Sequence, residues 1–172
     1  MEISNTTRLY ALSLKETRAW TFAALFIIGN IVVPQLCHAM IPHGGLIFLP
    51  IYFFTLIGAY KYGIKVGLLT AVMSPIVNSV FFDMPALAVL PAILIKSVLL
   101  ASAAALAARK TRKVSIGALI AVVLGYQVLG SGFEWALNGN LMAAVADFRL
   151  GLPGMTIQVL GGWALLKYAL TK

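Results

Sequence analysis

The chain has 172 residues, of which 61% are hydrophobic and only 10% charged, with a net charge of +8 and a mean hydropathy of +0.96. Soluble domains carry about 25% charged residues, so this composition argues against a soluble enzyme and for a membrane protein. The basic residues lie in short clusters between apolar runs, which fits membrane orientation better than nucleic-acid binding, and one cysteine excludes an internal disulfide framework.

The first twenty residues are polar and lack the apolar run of a signal peptide, so no cleaved leader is expected. Six stretches then reach the apolar length of a bilayer crossing, at roughly 18–37, 45–61, 63–82, 86–108, 114–137 and 152–170. Turn signals separate them: "IPHGG", "KYG", "DMP", "RKTRK" and "NGN". Arg8, Lys15 and Arg18 precede the first stretch, and Lys61 and Lys65 flank the second turn. Arg109, Lys110, Arg112 and Lys113 fill the fourth, and Lys167 and Lys172 close the chain. Six crossings put all of these on one side and leave Arg149, Asp83 and Asp147 on the other. The expected fold is therefore an all-α integral membrane protein. One domain, 1–172, forms a compact bundle of six transmembrane helices with both termini cytoplasmic. External loops are expected near 38–45, 83–86 and 138–151.

Polar side chains in hydrocarbon are costly, so their depth is informative. Asn30, Gln35, Tyr52, Ser74, Asn78, Ser79, Gln127, Ser131, Glu134, Thr156 and Gln158 all fall in the external halves of their helices. The inner halves hold only Thr and Ser, whose hydroxyls can bond their own helix. Prolines 34, 50, 75, 91 and 153 are also near external ends. Single Asn or Gln residues often join helices. The one-sided set predicts an outward-facing polar pocket instead, lined by Asn30, Tyr52, Asn78, Gln127, Ser131 and Glu134. Lys96 is expected near the membrane midplane, where insertion costs roughly 2.5–3.5 kcal/mol. Two roles offset that cost: an internal ion pair with Glu134, or a place at the pocket floor facing an anionic group of the substrate.

The segment "QLCHAMIPHGG" holds Cys37, His38 and His43. Three ligands fall short of a structural zinc site, and a haem ligand remains conceivable. A loop capping the pocket fits better, with His38 and His43 at its rim. Trp135 reads as an interface anchor or a stacking platform, and Asp83 as a helix cap or a gate. There is no nucleotide-binding loop, no catalytic carboxylate pair and no metal-hydrolase spacing. The expectation is a binding protein with no catalytic residues, no metal site and no cofactor.

The run "GGLIFLPIYFFTLIGAYKYGIKVGLLTAVMSPIVNSVFFDMPAL" resembles the second and third helices of the substrate-binding S components of energy-coupling-factor (ECF) vitamin transporters. Its "LP" entry, "G-x-x-x-G" turn and "G-L-L-T-x-x-x-S-P" helix carry the likeness, and the six-span architecture extends it over nearly the whole chain. Family members dock on a transmembrane scaffold subunit through A-x-x-x-A on the first helix, a spacing matched here by Ala19 and Ala23. The resemblance implies capture of a vitamin-like small molecule at the external side of a bacterial or archaeal cytoplasmic membrane. The scaffold and two ATPase subunits would come from other chains. Tyr52 stands where relatives with "LPxH" have histidine, so no particular substrate is carried over. The alternative is a structural membrane scaffold without a substrate, which would spread polar residues over both halves. A membrane-embedded enzyme lacks a reactive constellation, and a stand-alone secondary transporter lacks inverted repeats.

Overall fold

A computed structural model describes residues 9–169, and of Asp147 only the backbone. Every regular element among the described residues is helical. In chain order these are α1 (Thr17–Met40), α2 (Gly44–Phe48), α3 (Pro50–Tyr62), α4 (Ile64–Phe82), α5 (Leu90–Thr111), α6 (Ile116–Asn138), α7 (Leu141–Leu150) and α8 (Leu152–Ala164). A π turn, Leu165–Ala169, continues α8. Five stretches are long and apolar enough to cross a membrane: α1, α2 with α3, α4, α5 and α6. These are features of a multi-pass membrane protein. The sixth expected crossing is covered by α8, 13 residues long, and the π turn; its last residue, 170, lies outside the described residues.

Several boundaries differ from expectation for local reasons. Helix α1 runs on to Met40, so His38 is helical rather than in a loop. It stops where Ile41, extended at φ −137°, precedes Pro42; a residue before proline is disfavoured in the α region. The second crossing breaks at Leu49, left-handed at φ 47° and followed by Pro50, which opens α3. Helix α5 begins at Leu90 instead of 86, with Pro91 in its first turn, where the missing N–H costs no helix bond. The expected loop at 138–151 contains α7.

Helix α3 is central, packing on α1, α4, α5 and α8 and buried on almost every side. Close approach depends on small residues. A Cβ on Gly67 would overlap Ala59, so α3 and α4 cross nearly in backbone contact. Helix α1 contributes the seam Ala19, Ala23, Phe26, Asn30 and Pro34. Ala19 and Ala23, the residues expected to dock on a scaffold subunit, lie on this seam. They are 0% and 2% exposed, inside the chain's own core, and serve the approach of α1 to its own neighbours. The exposed side of α1 carries Leu25, Ile28 and Val32 instead.

The basic segments gather at one end. The Tyr10 and Leu12 amides donate to the Lys61 and Tyr62 carbonyls at 2.7 and 3.1 Å, giving partners to acceptors at the end of α3. Tyr60 donates its hydroxyl to the Lys113 carbonyl at 2.8 Å. At the other end, the α1–α2 turn meets the α4–α5 connection around Met84 and Pro85.

Candidate functional site

The expected outward-facing set divides in two. The first group ties α1, α3 and α4 together. Pro34 has no N–H, which leaves the Asn30 carbonyl one turn earlier without its helical partner. Asn78 fills that gap, donating Nδ2 to the Asn30 oxygen at 2.9 Å and to the Ser74 carbonyl at 3.1 Å. Its Oδ1 accepts from Gln35 Nε2 at 3.2 Å. The Asn30 amide donates to Thr55 and Ser74 hydroxyls at 3.0 and 3.3 Å, and its Oδ1 accepts the Phe54 amide at 3.2 Å. Both asparagines are fully buried. With their oxygens and nitrogens engaged inside the protein, Asn30 and Asn78 brace a proline-bearing helix.

This leads to a specific expectation. Asn78→Ala strips partners from the Asn30 carbonyl and from Gln35, and should cost about 1–3 kcal/mol of stability. Thermal unfolding in detergent reads this. Ligand affinity of the folded fraction should not move; a variant of normal stability and weakened binding would place Asn78 in the binding site instead.

The second group lies on α3, α5, α6 and α8. Lys96 Nζ pairs with Glu134 Oε2 at 2.7 Å, the lysine 4% and the glutamate 17% exposed. Because α5 starts at Leu90, Lys96 lies only about 9 Å along that helix. The pair therefore sits in the first third of α5, counted from Leu90. Gly130, one turn before Glu134, makes room for the lysine: a Cβ there would overlap Lys96 Cγ. One turn earlier on α6, Gln127 is fully buried and neither its Oε1 nor its Nε2 has a partner among the described residues. The Ser131, Ser97 and Gln158 side chains add further buried polar atoms without partners, namely two hydroxyls and Gln158 Nε2. Gln158 Oε1 accepts the Tyr126 hydroxyl at 3.0 Å, and the Tyr126 ring lies 5.4 Å from that of Tyr52. Thus Lys96 and Glu134 pair between α5 and α6, Gln127 and Ser131 lie within one helical turn of the Gly130 that Lys96 covers, and Tyr52 meets Tyr126 on the same helix, whereas Asn30 and Asn78 join α1, α3 and α4.

Unpaired buried polar atoms cost about 1–3 kcal/mol each, and proteins seldom tolerate several together. Gln127 alone offers two donors and one acceptor oxygen. With a charge pair beside it, the group suits a small molecule bearing a hydrogen-bonding edge and an ionised substituent. Ser131 also lines a cavity of about 310 Å³ between α6 and α7, walled by Val128, Trp135, Ala144 and Phe148. Trp135 at this wall is 49% exposed.

The histidines separate. His38 lines a second cavity of about 260 Å³, with Pro34, Pro50, Met84, Pro85 and Ile93. Its ring lies over Gly45, where a Cβ would overlap it. His43 is exposed, left-handed at φ 60° in the turn before α2, and does not line that cavity. Among the described residues, Cys37, His38 and His43 do not come together as a cluster of three metal-binding side chains.

No family model, curated protein or solved structure matches this chain. Sequence reasoning missed Ser97, Tyr126 and Gly130. Gly130 had a signal: it lies on the helical face shared by Gln127 and Glu134, where a missing side chain makes room for another.

Proposed function

We propose that this chain is the membrane-embedded capture subunit of an ECF-type importer. It crosses a bacterial or archaeal cytoplasmic membrane six times with both termini inside. It binds a vitamin-like small molecule carrying an anionic group from the external side. A transmembrane scaffold subunit and two ATPase subunits supply the energy, and the chain itself performs no catalysis. The observation that carries this reading is the buried, unpartnered Gln127 beside the Lys96–Glu134 pair, at the end away from the basic clusters. An apolar pocket with a few placed polar groups is the usual form of a small-molecule site. The likeness of the 44–87 run to S components supports the assignment to that importer class.

In this reading Lys96 exchanges Glu134 for the ligand's anionic group, Gln127 reads the neighbouring edge, and Ser131 and Trp135 line the approach. Gln127→Leu should weaken binding about tenfold or more while raising stability, because an unpaired amide is removed from the interior. Binding of the molecule that co-purifies with the protein, compared with thermal unfolding, checks both halves. Lower stability with unchanged affinity would remove Gln127 from the site. The importer role is tested by purifying the tagged chain from its native membrane under mild detergent. Recovery of a scaffold and ATPase chains is expected, and their consistent absence would contradict it.

A further inference from the structure

A further cavity lies at the opposite end of the molecule from the proposed ligand site. It has a volume of about 560 Å³ and is bounded by Tyr10, Ala59, Gly63, Ala105, Arg109 and Arg112 among others. Its depth follows from small residues. Ala59 on α3 and Ala105 and Ala108 on α5 bring no bulk between the helices, and Gly63 turns the chain at φ 95°. A side chain at Gly63 would press on the Tyr10 carbonyl and the Ala11 backbone, 3.2 Å away.

Its charge is one-sided. Among the described residues, the segments meeting at this end carry Lys15, Arg18, Lys61, Lys65, Arg109, Lys110, Arg112 and Lys113 against the one carboxylate of Glu16. Glu16 already accepts the Ser13 amide at 2.8 Å. The Arg109 and Arg112 guanidinium groups have no ion-pair or hydrogen-bond partner among the described residues, yet both border the cavity. The ends of α3 and α5 each add roughly half a negative charge, which two full positive charges outweigh.

We propose that this cavity holds the phosphate headgroup of an anionic phospholipid. Guanidinium forks match phosphate oxygens in pairs, and their partners here are missing. The cavity lies where helix ends meet the membrane surface, and basic pockets between membrane helices are suited to such headgroups. Leu106, one helical turn before Arg109 and 67% exposed, puts apolar surface on the same face for an acyl chain. A soluble anion would make no use of that surface. This inference needs only the membrane placement of the helices and is independent of the proposed transport role.

The test uses the full-length protein, stripped of lipid in a nonionic detergent and titrated with phosphatidylglycerol or phosphatidylcholine, with bound lipid read by native mass spectrometry. Phosphatidylglycerol should be retained preferentially. The Arg109→Gln/Arg112→Gln variant should lose that retention about tenfold or more, and Lys110→Gln, outside the cavity lining, should change it less than about twofold. Each single arginine variant should show an intermediate loss, which guards against misfolding of the double variant. Equal retention of phosphatidylcholine, or undiminished phosphatidylglycerol in the double variant, would overturn the proposal. Displacement of the lipid by millimolar inorganic phosphate would identify the site as one for a free anion and overturn the lipid assignment too.

Discussion

Lys96→Met is expected to destabilise the protein by about 3–5 kcal/mol, because it leaves Glu134 charged and unpaired in a largely buried position. Glu134 keeps 17% exposure, so some water can reach it and the loss should fall at the lower end of that range. Replacing both partners, Lys96→Met with Glu134→Leu, should recover most of the stability, since a pair of charges exchanged for apolar side chains is often neutral. Binding separates the structural from the functional part. If Lys96 receives an anionic substituent, the stable double variant should still fail to bind the acid, while a neutral amide or ester analogue loses little. Equal losses for acid and neutral analogue would remove the counter-ion role. A Lys96→Met protein as stable as wild type would remove the ion pair's contribution to stability.

Gly154→Val should be strongly destabilising. The first Cβ would lie 2.5 Å from both the carbonyl carbon and oxygen of Phe48, and 2.9 Å from the Ile47 oxygen. Those are backbone atoms at the end of α2, so no rotamer change relieves the contact. Helix α8 would have to lift away, carrying Gln158 from Tyr126. Overpacking costs about 1–3 kcal/mol where side chains can adjust, and more is expected here. The folded yield in detergent should fall sharply for Val and measurably for Ala. Gly125→Ala is the matched control, because nothing lies within 4 Å of its Cβ and alanine favours the helix. A Gly154→Val protein that unfolds with Gly125→Ala and wild type would show that α8 is not held against α2.

The helical segments were legible because apolar runs in a membrane protein are long and the turn signals between them dense. Helix ends were less legible, since they depend on the backbone states of single residues: Ile41 is extended ahead of Pro42, as a following proline favours, whereas Leu49 turns left-handed ahead of Pro50. Polar residues could be assigned to the outer half but not to partners. Asn78 and Gln127 look alike in sequence, two amides in apolar helices. Asn78 sits beside a carbonyl freed by Pro34 and is satisfied, whereas Gln127 faces no partner. That distinction rests on which helices meet, and the pairing of α4 with α1 is not written in either helix. The same holds for Ala19 and Ala23: their spacing marks a close helix contact, and only the packing shows that the contact is internal. The pairing of Lys96 with Glu134 was foreseen as one of two roles, because hydrocarbon offers a lysine so few others. Its place along α5 depends on where that helix begins, four residues later than expected.

The central claim is that the region around Lys96 and Gln127 holds a small molecule captured from outside the membrane. Native mass spectrometry of the protein released from a gentle detergent, purified from its native membrane, tests this most directly. The account predicts a small-molecule adduct on the wild-type chain that is depleted in the folded Lys96→Met/Glu134→Leu variant. An adduct that persists unchanged in that variant, or a folded wild-type protein that carries none even after incubation with an extract of its own cells, would contradict it.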